Sequence, residues 1–556
     1  MKETKSAVVN IPDVTCAIME KILEFAYTSD AKISENEVEH LLPIADRFQM
    51  DGLVTKCCRY AVSSLQPENC VGIWNFAKLF NFVNLAETVF RYILNNFTEV
   101  CKHEEMMGLD LECFEEIISD DRLNVKSEQE VFNAIVSWIS HQDLSDQNKG
   151  KLGEKLLLNV RFGLCDPDLI HRIIRMPLVR QHPALVNLLD SAIYHQAEAY
   201  VKEYAKPLSH TLPTTRLKCM FRPRVPSSLV FAIGGWSEGS PTAQFEAYDV
   251  RADCWFSHIK LEDRDYPRAY HAVVTLHNKI YVMGGYNGKR YYNTMRCFDP
   301  ASKTWSEKVP MYTKRCYVIA GVVSDCIYAC GGYEPGTPDP VGRLRTVEKY
   351  DLLTERWSFV SDMLCERSDG GAAELNGKLY VVGGFNGESC LNSTERYDPV
   401  TDQWSLLPTM NHPRSGTGLA AVNNMLVAIG GYDDVSQTRR KCGEKYDPRT
   451  HKWTLISTMK EARSNFATVV LEGSVYVIGG FNGQNTMSSV EKYDMETKRW
   501  EEVGVLNFHR SGLGACVVVG LGNAAEFTYT GKYGKRNRRR HSNITHRNTW
   551  MRNRRK

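Results

Sequence analysis

Six pairs of adjacent glycines recur through the second half of the sequence at nearly constant intervals. The pairs begin at residues 234, 284, 331, 383, 430 and 479, which gives a spacing of 47 to 52 residues. A short apolar run, such as Lys279–Met283 or Lys378–Val382, precedes each pair. Regular repetition at this period predicts a chain that uses one supersecondary unit many times.

An aromatic residue also stands seven positions before a tryptophan in every unit. The six pairs are Tyr248/Trp255, Phe298/Trp305, Tyr350/Trp357, Tyr397/Trp404, Tyr446/Trp453 and Tyr493/Trp500. A unit of this size cannot bury both faces of a sheet alone, so neighbouring units must pack against each other. We therefore expect six four-stranded sheets arranged as the blades of a β-propeller, with the tryptophans between blades.

The two ends of the repeat region predict how the ring closes. An arginine stands 16 residues before the glycine pair in five units, but the segment before Gly234 contains Pro223 and Pro226 where a strand would run. Arg510 opens a strand-like segment that has no glycine pair after it. We expect residues 511–519 to complete the first blade and so remove an exposed sheet edge.

The first third of the chain has helical periodicity instead. Ser34 and Glu37 form a capping-box motif, and Ser127 and Glu130 repeat it before apolar residues at helical spacing. This pattern predicts one or two α-helical domains between residues 13 and 200.

Three regions resemble the kelch-like family, in which a BTB domain, a BACK domain and a kelch propeller follow one another. Residues 24–65 (EFAYTSDAKISENEVEH and onward) resemble the second half of a BTB domain, residues 67–97 and 124–139 resemble BACK helices, and the glycine-pair repeats resemble kelch repeats. The resemblance implies a multidomain fold, with an all-α BTB remnant and BACK helices followed by an all-β six-bladed kelch propeller. The expected boundaries are a partial BTB domain at 1–65, BACK helices at 66–200, a linker at 201–226, the propeller at 227–523 and a basic tail at 524–556.

The resemblance also implies partners. In the family, the BTB domain dimerises and binds cullin-3 together with the first BACK helices, and the propeller binds the target protein that is ubiquitinated. It implies that Tyr27, Asn69 and Phe82 contact cullin-3 here. Fewer residues precede the BACK helices than a complete BTB domain contains, so we expect its N-terminal half to be missing and a homodimer only where the full domain is present. No catalytic residue, metal or cofactor is implied.

Strand direction predicts where a target protein would bind. With the strands of a blade labelled A to D as a meander, the arginine precedes A, the glycine pair follows B and a hydroxyl residue precedes C, so all three lie at one end of the blade. Guanidinium groups bind carboxylates, and aromatic rings supply rigid contact area. The candidate target-binding residues are Arg268, Arg315, Arg367, Arg414, Arg463, Arg510, Trp236, Tyr286, Tyr333, Phe385, Tyr432, Phe481, Thr294, Thr346, Ser393 and Ser489.

The sequence leaves a second role for these arginines open, because they could pair with backbone carbonyls or acidic residues inside the blades. Two loops differ from the others in length and composition, at residues 334–345 and 433–441. We expect these loops to determine which protein is bound.

Charge and composition exclude several classes of partner. Residues 532–556 contain 11 Lys and Arg and no acid, whereas the rest of the chain has 57 basic and 66 acidic residues, so the folded part gives no reason to expect nucleic-acid binding. The apolar runs are too short to cross a bilayer, and the 17 cysteines lack metal-ligand spacing, as expected of a cytoplasmic protein with reduced thiols.

Other functions remain as alternatives at this point. Some kelch proteins bind actin without directing ubiquitin transfer, and nothing in the repeats separates the two roles. A redox sensor would need a reactive thiol, for which Cys316 beside Arg315 is the one suggestive position. A copper enzyme would need a His, Tyr and Cys constellation, which the sequence does not contain. The basic tail could be a localisation or RNA-binding segment, but we expect it to lie outside the propeller.

Overall fold

The computed structural model describes residues 11, 14–180, 183, 186–187, 189–194, 220–336 and 342–529. The chain divides into two compact units, Met1–Arg224 and Val225–Lys556. The first unit is helical and the second consists of β-sheets, as the sequence predicts.

Twelve α-helices lie in the part of the first unit that the structure describes. Helices α1 to α12 are, in chain order, Cys16–Thr28, Glu35–Arg47, Asp51–Ser63, Cys70–Leu79, Val83–Asn95, Phe97–Val100, Glu104–Met107, Leu111–Ser119, Glu128–His141, Asp146–Leu157, Pro167–Ile174 and Pro177–Arg180. A 3₁₀ turn, Phe162–Leu164, separates α10 from α11.

Only one of the two predicted capping boxes forms. At the start of α2, Ser34 and Glu37 exchange side-chain and backbone hydrogen bonds as the motif predicts. At the start of α9, Ser127 makes no side-chain cap, and the Glu130 carboxylate accepts a hydrogen bond from the Thr98 hydroxyl at 2.6 Å. The apolar positions of α9 are nevertheless buried, so its register follows the predicted stripe.

The end of the predicted linker belongs to the helical unit. Met220 and Phe221 are buried in its core, and the Arg224 guanidinium pairs with the Glu128 carboxylate at 2.6 Å with both side chains almost fully buried. Arg224 also donates to the Ile118 and Asp120 carbonyls. Residues 220–224, expected to lie in the linker, are therefore packed in the helical unit, and residues 201–219 lie outside the described residues.

Six four-stranded antiparallel sheets form the second unit, and we number them as blades 1 to 6. In the order A to D, the strands are Gly514–Val519, Ser228–Ile233, Phe245–Asp249 and Cys254–Ser257 in blade 1; Ala272–Leu276, Lys279–Met283, Met295–Asp299 and Thr304–Lys308 in blade 2; Ile319–Val323, Cys326–Cys330, Val347–Asp351 and Arg356–Val360 in blade 3; Gly371–Leu375, Lys378–Val382, Thr394–Asp398 and Gln403–Leu407 in blade 4; Gly418–Val422, Met425–Ile429, Gly443–Asp447 and Lys452–Ile456 in blade 5; and Ala467–Leu471, Ser474–Ile478, Val490–Asp494 and Arg499–Val503 in blade 6. Short hairpins, Trp236–Ser237 with Ser240–Pro241 and Tyr432–Asp433 with Thr438–Arg439, lie in the B–C loops of blades 1 and 5.

Blade 1 closes the ring as the sequence predicts. Its strand A comes from the C-terminal side of the repeats and pairs antiparallel with strand B, from Ser228 opposite Val519 to Ile233 opposite Gly514. The two ends of the repeat region thus share one sheet, which removes the edge that an open ring would expose.

The tryptophans lie between blades, which confirms the prediction from their spacing. Each tryptophan packs against the aromatic residue of its own blade in a tilted arrangement, with ring centroids 5.1 to 5.3 Å apart. Each indole N–H also donates to a carbonyl of the preceding blade, as Trp357 does to Val309 at 2.8 Å. The indoles therefore fix the packing of neighbouring blades by both apolar contact and a satisfied polar group.

Two closed rings of backbone hydrogen bonds surround the propeller axis. In the outer ring, the N–H of the second glycine of each pair donates to the carbonyl of the repeated arginine in the next blade, at 2.7 to 2.9 Å. In the inner ring, six residues with left-handed backbone conformation each donate from their N–H to the carbonyl of the member in the preceding blade, at 2.7 to 3.1 Å. The inner-ring residues are Tyr270, Tyr317, Asp369, Gly416, Asn465 and Gly512.

The close approach in the outer ring explains the glycine pairs. Gly331 has a φ of +56°, and a Cβ at that position would lie 2.2 Å from the Arg367 carbonyl oxygen. A side chain would therefore clash with the acceptor of the hydrogen bond that joins blades 3 and 4.

Residues beyond 523 also pack against the propeller. Phe527 is buried edge-on against Phe231, and the Tyr529 N–H donates to the Asp249 carboxylate at 3.1 Å. Residues 524–529, predicted to belong to the tail, are thus packed on blade 1. The rest of the basic tail, residues 530–556, lies outside the described residues.

None of the helices among the described residues has the length and apolar character that a bilayer crossing requires. The same residues contain no group of three or more His, Cys, Asp or Glu side chains arranged to hold a metal ion.

Candidate protein-binding face of the propeller

The arginines, glycine pairs and hydroxyl residues lie together at one end of the blades, which we call the B–C face because it carries the B–C loops. Each arginine donates from Nη1 to the carbonyl of the first glycine of its blade's pair, at 2.6 to 3.0 Å. Nη2 of four of them donates to the predicted hydroxyls, at 2.7 to 3.1 Å, in the pairs Arg268/Thr294, Arg315/Thr346, Arg367/Ser393 and Arg463/Ser489. The strand order therefore brings these three residue types together as expected.

These arginine side chains are inside the blades rather than on the surface. Arg315, Arg367, Arg414, Arg463 and Arg510 have no exposed area, and Arg268 is 3% exposed. This placement favours the structural role that the sequence left open. Direct contact between the six guanidinium groups and a target stays a prediction.

Five buried glutamates, which the sequence interpretation missed, neutralise five of the arginines. The ion pairs are Arg315–Glu348, Arg367–Glu395, Arg414–Glu444, Arg463–Glu491 and Arg510–Glu246. Each glutamate also accepts backbone N–H groups of the preceding D–A loop, as Glu444 does from Asn411 at 2.7 Å and His412 at 3.2 Å. Each carboxylate thus fixes one arginine and one loop of the B–C face.

Blade 2 departs from this pattern. Its strand C has Arg296 where the other blades have glutamate, and Arg296 pairs with Asp263 of the D–A loop. Arg268 lies over the rings of Tyr292 and Tyr266, with its guanidinium carbon 4.1 and 5.5 Å from the centroids. Burial without a glutamate partner lowers the pKa of Arg268 to about 10.

The six predicted aromatic residues form the accessible part of the B–C face. Trp236, Tyr286, Tyr333, Phe385, Tyr432 and Phe481 are each half-buried. Each forms an isolated β-bridge to the residue that follows the arginine of its blade, as Phe385 does to Ser368, and pairs a second time within its own B–C loop. Their backbones are therefore fixed by the scaffold while one side of each ring reaches solvent.

Two arginines of the long B–C loops lie across these rings. The Arg343 guanidinium carbon is 4.7 Å from the Tyr333 centroid and 5.3 Å from that of Phe385 in the next blade. Arg439 does the same in blades 5 and 6, at 5.2 Å from Tyr432 and 4.6 Å from Phe481. Both side chains are half-exposed. The sequence interpretation selected their loops but not these residues, although each is an arginine inside a loop of unusual length.

Further tyrosines extend the aromatic surface over blades 1 to 3. Tyr291 packs between Tyr286 and Tyr333, with centroids 4.6 and 5.7 Å away. Tyr270 lies 4.3 Å from Tyr317 and 6.5 Å from Trp236. The face is thus rich in aromatic area with arginine at two points, a composition that protein-binding surfaces favour.

The residues predicted to contact cullin-3 have different surroundings in the helical unit. Tyr27 of α1 is 88% exposed. Asn69 bonds within its own turn, to the Gln66 N–H and the Ser64 carbonyl. Phe82 is half-buried against Phe76 and Phe80 between α4 and α5. Leu79 and Val83, which the prediction did not name, are 78% and 67% exposed beside it.

The surroundings of Cys316 make its thiol unreactive. The thiol is buried, and burial together with the neighbouring Asp369 carboxylate raises its pKa, so it is protonated at neutral pH. Arg315 cannot stabilise a thiolate there, because Glu348 engages its guanidinium group.

The second unit is a closed ring of six blades with a half-exposed aromatic rim, and a helical unit precedes it in the chain. These two units define the class of protein. Three family models match successive parts of the chain: a BTB/POZ domain at residues 1–65, a BTB And C-terminal Kelch domain at 70–175, and the Attractin/LZTR1 beta-propeller at 230–490. The order of these matches is that of the BTB, BACK and kelch domains.

Several proteins that are similar in sequence to this chain are named kelch-like proteins. Kelch-like protein 28 of Homo sapiens is 31% identical over 345 residues, which are 60% of this chain and 57% of that protein. Kelch-like protein 23 of Homo sapiens is 28% identical over 389 residues, covering 70% of this chain and 64% of the relative. Kelch-like protein 6 of Homo sapiens is 28% identical over 464 residues, covering 69% and 74%. The chain is thus similar to kelch-like proteins over parts of its length, and it spans 57% to 74% of the length of these relatives.

Proposed function

We propose that this chain is the substrate-recognition adaptor of a cullin-3 RING ubiquitin ligase. In this role the protein is not an enzyme: the B–C face binds a target protein and the helical unit binds cullin-3. The observation that carries the proposal is the accessible rim of six aromatic rings, with Arg343 and Arg439 lying across two pairs of them.

The chemistry of this rim suits a polypeptide better than a small molecule. Rigid aromatic rings provide contact area at little cost in side-chain entropy, and arginine provides forked donors for carboxylates or backbone carbonyls. The cavity of about 20 Å³ between blades 1 and 2 holds no more than a water molecule, because Arg268, His271 and Trp305 enclose it. An extended peptide or a loop of a target would instead lie over the rim.

Removing Arg343 and Arg439 together is expected to weaken target binding at least tenfold, because hot-spot arginines contribute a large share of the affinity of such surfaces. A random peptide library displayed on phage and selected on the full chain supplies the ligand, and fluorescence polarisation of the selected peptides measures affinity. The matched control is Arg449→Ala, because Arg449 is highly exposed in the C–D turn of blade 5 at the opposite end. Equal loss in the control would contradict binding at the B–C face.

Substituting the exposed apolar residues of the α4–α5 corner is expected to abolish binding to cullin-3. Leu79→Asp and Val83→Asp place a charge on a surface whose apolar exposure has no function within the helical unit. Purified full chain and purified cullin-3 are mixed and analysed by size-exclusion chromatography. Leu144→Asp is the control, because Leu144 is an exposed leucine away from this corner. Unchanged co-elution of both variants would contradict the proposed interface.

The alternative is a kelch scaffold that binds actin without directing ubiquitin transfer. Cosedimentation of the full chain with actin filaments, together with no binding of cullin-3, would favour that alternative. Under the proposed function, the chain acts in the cytoplasm, and it forms a homodimer where a complete BTB domain is present.

A closer assignment within the family is also a proposal. Residues 231–242, 248–255 and 267–272 resemble kelch-like protein 10, a member associated with male germ cells, and the relatives reported above do not test this resemblance. A role in spermatogenesis follows from it, and absence of the protein from male germ cells would contradict that role.

A further inference from the structure

The inner ring places an unusual set of side chains at the propeller axis. Two of its six positions are glycines, Gly416 and Gly512, and the other four are Tyr270, Tyr317, Asp369 and Asn465. A Cβ at Gly512 would lie 2.6 Å from the Tyr270 ring, and one at Gly416 would lie 2.3 Å from Asn465 Oδ1. Side chains of the larger members therefore fill the space that the glycines leave. We call this group of six residues the axial pit.

Asp369 is the one carboxylate of the axial pit, and its charge is poorly compensated. It accepts a hydrogen bond from the Ser368 hydroxyl at 3.2 Å, and among the described residues it forms no ion pair. Burial raises the pKa of Asp369 to about 7, although Arg343 lies near enough to oppose that rise. The five blade glutamates, by contrast, each pair with a buried arginine.

Aromatic rings and polar oxygens surround this carboxylate. Tyr270 and Tyr317 pack on each other with ring centroids 4.3 Å apart; burial raises the pKa of both phenols, and the nearby Asp369 carboxylate adds to that rise. Trp236 of the rim lies 6.5 Å from Tyr270. The faces of such rings attract cations, and a carboxylate beside them strengthens that preference.

We propose that the axial pit binds a basic side chain, lysine or arginine, of the protein that the B–C face holds. This inference rests on the proposed function, and it adds the chemistry of one residue of the target. A cation would supply the counter-charge that Asp369 lacks, at a site where burial strengthens the attraction. An apolar side chain would leave the carboxylate buried and unpaired, and a phosphate or carboxylate would be repelled by it.

Binding of a basic side chain is expected to depend on pH. The groups that face Asp369 are Arg343, Tyr270, Tyr317, Cys316 and Ser368, and of these only Arg343 is charged near neutral pH. Because the carboxyl of the free protein titrates at about pH 7, it is ionised above that pH and neutral below it. A change from about pH 8 to about pH 6 should therefore weaken binding of the cation about tenfold.

Another member of the inner ring suggests a substitution of Asp369 that should keep the ring intact. Asn465 occupies the inner-ring position in blade 6 that Asp369 occupies in blade 4, and both have left-handed backbone conformation. Asp369→Asn removes the charge but keeps a residue that tolerates this conformation. Glu388→Gln is the matched control, because Glu388 is an exposed carboxylate in the B–C loop of the same blade.

The experiment measures the affinity of peptides selected from a random phage library on the full wild-type chain. We expect the selected peptides to share one Lys or Arg, and we expect that replacing it with norleucine weakens binding about tenfold. Asp369→Asn should weaken the parent peptide by a similar factor and leave the norleucine peptide unaffected, so that the two changes are not additive. Glu388→Gln should leave both peptides unchanged.

The possible outcomes separate this inference from the proposed function. In one outcome, the selected peptides lose affinity for the Arg343→Ala, Arg439→Ala double variant, as the proposed function requires, and yet contain no basic residue. In another, they lose that affinity but bind the Asp369→Asn variant as tightly as wild type. Either result would overturn binding of a basic side chain in the axial pit and leave the proposed function standing. Failure to select any peptide would contradict the proposed function, and this inference with it.

Discussion

Glu444→Ala is expected to lower the free energy of unfolding by about 3–5 kcal/mol, as removal of one partner of a buried ion pair does. The Glu444 carboxylate lies 2.9 Å from Arg414 Nη2, and neither side chain has exposed area. The same carboxylate accepts the Asn411 and His412 N–H groups. The substitution therefore leaves one buried charge and two backbone donors without a partner.

Denaturant unfolding followed by tryptophan fluorescence measures this loss. Glu502→Ala is the control, because Glu502 pairs with Lys460 at 2.6 Å but both side chains are more than half exposed. Water replaces the lost partner there, so we expect only a small fraction of the effect. If both variants lowered the free energy of unfolding by similar amounts, the buried ion pair of Glu444 would not stabilise the propeller more than an exposed one does.

Ending the chain at Arg510 is expected to prevent the propeller from folding to a soluble form. The missing residues include strand A of blade 1 and Gly512, whose N–H and carbonyl both belong to the inner ring. Strand B of blade 1 would become an unpaired edge, with the apolar residues Leu229, Val230 and Phe231 exposed on both of its faces. Exposed apolar edges of this kind pair with other chains, so aggregation should follow.

A chain that ends at Tyr529 is the matched control for this truncation. It keeps strand A and the contacts of Phe527 and Tyr529 with blade 1. We expect it to elute as a folded species with the melting temperature of the full chain. A folded, soluble chain that ends at Arg510 would contradict closure by the C-terminal strand.

The fold could be predicted from the sequence because its determinants recur at fixed spacing. The glycine pairs, the tryptophans and the displaced Arg510 specify six blades and their closure without knowledge of any contact. Strand direction then places Arg268 and Thr294 at the same end of blade 2, and the structure brings them into hydrogen-bond contact.

The burial of the arginines could not be decided from the same pattern, because it depends on a partner about 30 residues away. A signal was present: glutamate stands two positions before the aromatic residue in five units, for example Glu348 before Tyr350, and arginine replaces it at Arg296. The sequence contains no such signal for the axial pit. Its members share a position but not a residue type, so only the hydrogen-bonded inner ring shows that Tyr270 and Asp369 are neighbours around the axis.

We expect the B–C face, and not the opposite end of the propeller, to hold the target. Hydrogen–deuterium exchange of the full chain, with and without a peptide selected on it, tests this most directly. We expect protection that is confined to the B–C loops, around Tyr286, Phe385 and Tyr432. Protection at the A–B and C–D turns instead, for example at residues 352–355, would contradict it.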